Sequence, residues 1–263
     1  MASAIIRGAI NSGYDPQQIT ATNRSRASSV ELAKELGINS FNLETDPHAN
    51  IKAVREAKMV VLGVKPYQIL ETIDEILDAL SPGTVVVSVA GGITIDAMQE
   101  KLPGKAVFRV MPNTPSMIGM GVSGIAAGKH CDQQHIDSVV KLFESVGVVI
   151  QCPENQIDAL STISGSGPAY VFYFIEQFEK MAIEYGFDKQ QAALMVRQTF
   201  LGASELAIRG GSSPEELRAK VTSPNGTTEK AIEVFENKDL HQIFSEASAA
   251  ALKRARQIAG LEG

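Results

Sequence analysis

Apolar residues in the first part of the chain form two alternating patterns, helical spacing and short continuous runs. Residues 1–13 carry apolar side chains at helical spacing, which predicts an amphipathic helix. The next run, Ile19–Thr22, is short and β-branched and predicts a strand. Stronger strand runs follow at Met59–Val64, Thr84–Val89 and Val107–Val110. Because these runs lack polar alternation and are separated by helices, they predict a mostly parallel sheet covered on both faces.

The pattern changes after Cys152, where strand-like runs stop and helical spacing continues to Ile258. Long helical patterns run over Asn155–Tyr185 and Leu240–Ile258, among others, and predict helices there. Small residues cover several faces of these helices, which favours a bundle shared between subunits. A bundle within one chain is the alternative. We therefore predict an α/β domain at 1–152 and an all-helical domain at 153–263.

Composition narrows the class of protein. The net charge of -6, without a stripe of Lys and Arg, argues against a nucleic-acid-binding surface. The sequence contains no apolar run of roughly 20 residues and no signal-peptide pattern, so neither a membrane span nor secretion is expected. Two cysteines, Cys131 and Cys152, provide no disulfide framework and favour a reducing cytoplasm. A cytoplasmic enzyme is the leading expectation.

Polar and glycine-rich segments follow several predicted strands, where open sheets bind ligands. In Asn23-Arg24-Ser25 an arginine with small polar neighbours suits the 2′-phosphate of NADP, although an ordinary polar turn is the alternative. Val64-Lys65-Pro66 and Ala90-Gly91-Gly92 follow the next strands, and paired glycines allow a ligand to approach the backbone. Asn113, between two prolines, can orient a polar ring or amide. Simple turns are again the alternative.

Two further motifs lie in the helical half. Residues 164–170, SGSGPAY, place glycine and proline inside a helical pattern, which often marks a functional site or a close helix crossing. Val221–Thr228 opens a helix with hydroxyls and free amides that suit a small carboxylate, although a well-capped helix is the alternative. His130, Cys131 and His135 lack a fourth ligand, so no metal site is predicted. Without an evident general base, the chemistry is expected from a cofactor.

Taken together, the segments NRS, VKP, AGG, MPNTP, ISGSGPAYVF and VTSPNGTTEKAI closely resemble the Δ1-pyrroline-5-carboxylate reductases in order and spacing. The resemblance implies reduction of 1-pyrroline-5-carboxylate to L-proline, the last step of proline biosynthesis, with NADPH or NADH as the hydride donor. It also implies a Rossmann-type N-terminal domain, an all-α dimerisation domain, and a homodimer that often assembles into a ring of dimers.

The resemblance also assigns roles to residues. The residues implied for cofactor binding are Asn23, Arg24, Ser25, Val64, Lys65, Pro66, Ala90, Gly91, Gly92 and Asn113. Those implied for the substrate are Glu154, Ser223, Asn225, Gly226, Thr227 and Thr228. Thr228 is the expected catalytic residue, hydrogen-bonded to the ring nitrogen as hydride arrives at the adjacent carbon. Family members commonly have glycine where Asn225 stands.

The opening of the chain departs from the family pattern. Members typically begin with a strand and a Gly-x-Gly-x-Met turn, and Met1 resembles the methionine that ends this turn. We therefore expect a shortened N-terminus that lacks the first strand and the pyrophosphate-binding turn. Two hypotheses follow, a working reductase whose full form is longer or a helical dimerisation scaffold with an impaired nucleotide site. Titration with NADPH separates them.

Overall fold

The computed structural model describes residues 1–260. The N-terminal elements are α1 (Ala2–Asn11), β1 (Thr20–Asn23), α2 (Arg26–Leu36), β2 (Asn39–Asn42), α3 (Ala49–Val54), β3 (Met59–Leu62), α4 (Ile69–Ile76), β4 (Val85–Ser88), α5 (Ile95–Lys101), β5 (Ala106–Met111), β6 (Gly121–Ala127), α6 (Gln133–Glu144) and β7 (Gly147–Gln151). The helical part comprises α7 (Glu154–Leu160), a π-helical turn (Ser161–Gly165), α8 (Gly167–Glu184), α9 (Lys189–Arg209), α10 (Pro214–Lys220), α11 (Thr227–Asn237) and α12 (Leu240–Ile258).

The strands form two separate sheets. A two-stranded parallel sheet pairs β1 with β2, and a five-stranded sheet has the order β3-β4-β5-β6-β7. Strands β3, β4 and β5 run parallel, whereas β6 is antiparallel to β5 and β7 is parallel to β6. Among the described residues, β1 pairs only with β2 and β3 only with β4, so each has one unpaired edge.

Helices cover both faces of the five-stranded sheet, because neighbouring residues of a strand point to opposite faces. On one face Val86 and Val107 pack against α4, α5 and α7. On the other, Val87 and Phe108 pack against α1 and α6. These strands are buried on both faces, as their unbroken apolar runs predict.

Local sequence explains where many of these helices begin and end. The Ser25 hydroxyl accepts a hydrogen bond from the Ser28 amide and starts α2, and Gly37, with φ of 68°, ends it in the left-handed conformation. Asp132 and His135 form a reciprocal capping box at the start of α6. No helix within residues 1–260 has the length and apolarity that a membrane span requires.

Packing divides the described chain into two compact units. The sheet unit contains residues 1–166 and 251–260, and the helical unit contains Gly167–Ala250. Strands end at Gln151, but α7 and the π-helical turn still belong to the sheet unit. The predicted boundary between 1–152 and 153–263 marks the point where strands give way to helices. As a division into domains, it stays a prediction.

The helical pattern predicted over Asn155–Tyr185 is helical in the structure but is not one regular α-helix. The π-helical turn Ser161–Gly165 separates α7 from α8 within this segment. A π turn adds a residue to a helical turn and leaves the apolar spacing on either side nearly intact, so the pattern did not show it. Of the residues that are costly in the interior of a regular α-helix, Gly165 lies in this turn, and Gly167 and Pro168 lie in the first turn of α8.

The helical unit buries few side chains of its own. Its core consists of Ala182, Ala192 and Val196, with Ile175 and Phe200 packed against them. Large apolar side chains on its helices are exposed, and on α9 these include Leu194 at 73%, Leu201 at 51% and Ile208 at 75%. Because these three residues recur every seven positions, they form one apolar stripe along α9.

Candidate functional site

Three of the predicted site segments lie at one edge of the five-stranded sheet. The loops after β3, β4 and β5 contain Val64–Pro66, Ala90–Gly92 and Asn113, respectively. Because these strands run parallel, their carboxyl ends meet at the same edge, where open α/β sheets bind ligands. The structure therefore brings together segments separated by almost fifty residues, as the sequence predicts.

Helix α1 starts at this edge. A Cβ atom built on Gly63, directly after β3, would lie 3.0 Å from Ala2 Cβ. No side chain caps the start of α1, and the first amides of a helix have no partner within the helix. Such amides, together with the helix dipole, suit a phosphate group.

The two glycines after β4 have different environments. Gly92 has a φ of 82°, and a Cβ atom there would lie 3.0 Å from Ile258 Cγ2 of α12. Gly91 does not have positive φ, and the nearest atom to its Cβ position is Met111 Cε at 3.9 Å. Of these two residues, only Gly92 has a backbone conformation that favours glycine over other residues.

Gly92→Ala is expected to lower the free energy of unfolding by about 1–2 kcal/mol, the cost of the left-handed conformation for a residue with a Cβ. Gly91→Ala is the matched control and should change it by less than about 0.5 kcal/mol. Denaturant unfolding of both variants measures the difference. Equal destabilisation by the two substitutions would contradict this account of the loop.

The segment after β1 joins β1, α2 and β2. Asn23 Nδ2 donates to Ser40 Oγ at 3.2 Å, and Ser25 caps α2. The Glu44 carboxylate accepts from the Arg26 amide at 2.8 Å, so this helix start is already occupied by an acid. The Arg24 side chain is exposed at the end of the strand. Arg24 is therefore the group in this segment that is placed to meet a phosphate.

Asn113 ties the loop after β5 to the π-helical turn. Its buried side chain donates through Nδ2 to the Ser164 carbonyl at 2.9 Å and accepts through Oδ1 from the Val122 amide at 2.8 Å. Met111 Cε lies 3.4 Å from the Cβ position of Gly165, which brings the SGSG segment to the same strand end. These contacts give Asn113 structural partners, and its contact with a cofactor stays a prediction.

A buried ionic cluster, which sequence reasoning missed, lies beside this edge. The Arg109 side chain on β5 is 3% exposed and donates through Nη2 to Asp158 Oδ1 at 2.5 Å. Its Nη1 lies 3.5 Å from Glu154 Oε1. An arginine inside the apolar run AVFRVM was the available indication, because a buried charge requires a partner. We call Arg109, Glu154 and Asp158 the ionic cluster.

Glu154 has a further partner in the sheet unit. Its Oε1 accepts a hydrogen bond of 2.7 Å from the Ile95 amide at the start of α5. The carboxylate thus connects α7, β5 and the loop that leads into α5. The predicted contact of Glu154 with substrate stays a prediction beside these observed structural contacts.

The segment Ser223–Thr228 comprises a tight turn and the first two residues of α11 in the helical unit. The Gly226 amide donates to the Ser223 carbonyl at 2.9 Å, and Asn225 has a φ of 60°. Asparagine tolerates this left-handed conformation better than most residues with a Cβ atom. The Asn225 amide is satisfied by Glu229 Oε2 at 2.8 Å.

The start of α11 offers amides to an anion beside the Glu229 carboxylate, which is bonded to the Asn225 amide. Gly226 is the N-cap residue and has no side chain to cap the helix. The amides of Thr227 and Thr228 lie in the first turn, where helix geometry leaves them without intrahelical partners. Thr228 is half-buried and Thr227 is exposed, so two hydroxyls and two amides lie together. This set suits a small carboxylate.

Neither a metal centre nor a reactive thiol is evident in the described part of the chain. Residues 1–260 contain no group of three or more His, Cys, Asp or Glu residues placed to hold a metal ion. Burial raises the pKa of both the Cys131 and Cys152 thiols, which disfavours the nucleophilic thiolate. The His135 ring instead completes the capping box of α6.

Comparison with known proteins covers nearly the whole chain. Residues 154–258 match the family described as pyrroline-5-carboxylate reductase dimerisation, and residues 1–92 match that described as NADP oxidoreductase coenzyme F420-dependent. A pyrroline-5-carboxylate reductase of Corynebacterium melassecola is 37% identical over 98% of this chain and 95% of its own.

Solved structures give the same result. A pyrroline-5-carboxylate reductase from Coxiella burnetii matches with a TM-score of 0.91 and 36% identity, over 98% of this chain and 94% of that one. The fold also matches a pyrroline carboxylate reductase from Plasmodium falciparum with NADP bound, with a TM-score of 0.84, 24% identity and the same shares of the two chains. The sheet unit is thus Rossmann-type, and the helical part matches a dimerisation domain. The chain belongs to the pyrroline-5-carboxylate reductase family.

Proposed function

We propose that this protein reduces 1-pyrroline-5-carboxylate to L-proline with NADPH as the hydride donor. The observation that carries the proposal is the uncapped start of α11, where Thr227 and Thr228 present amides and hydroxyls to a small carboxylate. The family to which the chain belongs supports the same reaction. The scaffold hypothesis is not favoured, because the relatives cover both the sheet unit and the helical unit.

The residues at the sheet edge fit a nicotinamide dinucleotide. The uncapped start of α1 suits the pyrophosphate, and Arg24, with Asn23 and Ser25, suits the 2′-phosphate of NADPH. The loops Val64–Pro66 and Ala90–Gly92 follow the central strands, and the glycines allow close approach to the backbone. NADPH supplies the hydride, and NADH is the alternative donor.

The chain's own contribution to the reaction is binding and orientation. The amides of Thr227 and Thr228 anchor the substrate carboxylate at the start of α11. Ser223, Asn225 and Gly226, whose own amide is bonded to the Ser223 carbonyl, shape the turn that precedes it. The Thr228 hydroxyl donates a hydrogen bond to the imine nitrogen, which polarises the C=N bond toward hydride addition. Fixing both reactants makes a bimolecular hydride transfer effectively unimolecular, which supplies much of the rate enhancement. With the neutral imine, water provides the proton that nitrogen takes up as hydride adds to carbon. An imine that arrives protonated already carries that proton, and its N–H donates to the Thr228 hydroxyl oxygen instead.

Arg24→Ala is expected to lower the preference for NADPH over NADH by about tenfold or more, because it removes a charge-assisted hydrogen bond to phosphate. Steady-state kcat/KM values for the two donors measure this ratio. Lys34→Ala, which removes a cation from the last turn of α2, the helix that follows Arg24, is the control. An unchanged ratio in the Arg24 variant would remove Arg24 from the 2′-phosphate site.

We further propose that the helical unit forms a homodimer, with a ring of dimers as the larger assembly. The small core of the unit contrasts with the exposed apolar stripe Leu194, Leu201 and Ile208 on α9. Exposed apolar surface of this kind marks protein interfaces, and a second copy of the chain is the partner that a dimerisation domain takes. We place the enzyme in the cytoplasm, since unpaired thiols suit a reducing compartment.

The proposed activity is tested by mixing the purified protein with NADPH and 1-pyrroline-5-carboxylate. The expected result is substrate-dependent loss of NADPH absorbance, matched by formation of L-proline in equal amount. Saturable NADPH binding without turnover would contradict the proposed reaction. Absence of NADPH binding would support the scaffold hypothesis instead.

A further inference from the structure

The strongest unexplained feature of the sheet unit is the ionic cluster. We propose that Glu154 is a positioning residue, whose carboxylate fixes the Ala90–Gly92 loop in the conformation that receives the nicotinamide. The inference rests on the proposed function, because that function assigns this loop to the cofactor. It gives Glu154 a role through the loop, in place of the substrate contact that the sequence predicts.

The contact with α5 fixes the position of Ile95, where the loop after β4 ends. The Ile95 amide, which donates to Glu154 Oε1 at 2.7 Å, belongs to the first residue of α5. Ile95 is 4% exposed, so water is a poor substitute for this acceptor. Thr94 Oγ1 accepts from the Ala97 amide at 3.2 Å, so the Thr94 hydroxyl is committed to a different amide. Glu154 is therefore the acceptor on which the Ile95 amide depends.

The contact with Arg109 fixes the carboxylate to the sheet. Arg109 lies on β5 in register with Ser88, the last residue of β4 and the residue from which the loop departs. Its guanidinium faces Glu154 and Asp158, which are one helical turn apart on α7. The hydrogen bonds between β4 and β5 hold the start of the loop. Glu154, which is paired with Arg109 on β5, holds the end of the loop through the Ile95 amide. Both ends are therefore fixed relative to the same two strands.

The two carboxylates of the cluster have different contacts. Asp158 meets Arg109 at 2.5 Å, whereas Glu154 meets both Arg109 and the Ile95 amide. Loss of Asp158 therefore removes a buried ion pair without removing the acceptor for the loop. This difference provides a matched pair of variants within one cluster.

The test compares Glu154→Ala, Glu154→Gln and Asp158→Asn by two measurements that need no substrate. Hydrogen exchange of the Ile95 amide, relative to amides of β5, reports the loop contact in the absence of cofactor. Fluorescence titration reports the dissociation constant for NADPH. In Glu154→Ala we expect the relative exchange rate of the Ile95 amide and the dissociation constant for NADPH each to rise by about tenfold. This is the effect of losing a hydrogen bond to a charged group.

Glu154→Gln retains an oxygen acceptor and is expected to restore most of the Ile95 protection and NADPH affinity. Asp158→Asn is expected to lower the melting temperature. It should change neither the relative exchange rate of the Ile95 amide nor the dissociation constant for NADPH by more than about twofold. The proposal is overturned if Glu154→Ala keeps wild-type NADPH affinity, if Glu154→Gln is as impaired as Glu154→Ala, or if Asp158→Asn has the same binding defect. A wild-type protein that binds NADPH but does not reduce the substrate overturns the proposed activity and leaves the positioning role standing.

Discussion

Thr228→Ala is expected to lower kcat by about a hundredfold, the effect of removing a hydrogen-bond donor aimed at the reacting atoms. The hydroxyl lies in the first turn of α11 and is half-buried, so its position is set by the helix start. The dissociation constant for NADPH should change by less than about twofold, because Thr228 is assigned to the substrate and not to the cofactor. Steady-state kinetics together with a fluorescence titration of NADPH measure the two effects separately.

Two further variants make this prediction specific. Thr228→Ser keeps the hydroxyl and should retain most of the activity. Thr222→Ala removes a hydroxyl that donates to the Arg218 carbonyl at 2.7 Å in the same segment, and it should leave kcat within about threefold of wild type. Wild-type kcat in Thr228→Ala would remove this residue from the site.

Leu201→Glu is expected to convert the homodimer into monomers at concentrations where the wild-type protein is fully dimeric. The substitution places a carboxylate in the centre of the apolar stripe Leu194, Leu201 and Ile208. Burial of an unpaired charge in an interface, with loss of an apolar anchor, raises the dissociation constant by about a hundredfold or more. Sedimentation velocity over a range of protein concentrations measures the change.

A control separates the interface from a general effect of surface charge. Val30 on α2 is also an exposed apolar residue, at 58%, but it belongs to the sheet unit. Val30→Glu should leave the dimer intact. Dissociation by both variants, or by neither, would contradict the assignment of the α9 stripe to the interface.

The sequence predicted most elements of the fold but not the direction of every strand or the breaks within helices. Helix α12 has the predicted bounds Leu240–Ile258, because its helical spacing is uninterrupted over the whole range. Strand β6 is antiparallel to β5, and apolar runs carry no information on direction. The π-helical turn was missed because the apolar pattern on its two sides continues at helical spacing.

The candidate site was only partly accessible from sequence. Segments that follow strands, such as Ala90–Gly92, were found because parallel strand ends meet at one edge. The ionic cluster was not found, because Arg109 and Asp158 are separated by 49 positions and meet only when α7 packs on the sheet. The partners of Asn113 were hidden for the same reason, since one of them lies in the π-helical turn.

Transfer of deuterium tests the central claim most directly. The protein is incubated with 1-pyrroline-5-carboxylate and NADPH that carries deuterium at the reactive carbon of the nicotinamide, and the proline formed is analysed by mass spectrometry. The account predicts L-proline with one deuterium on the former imine carbon when the label occupies the transferred position. If both deuterated epimers of NADPH gave proline without label, or if no proline formed, the account would be contradicted.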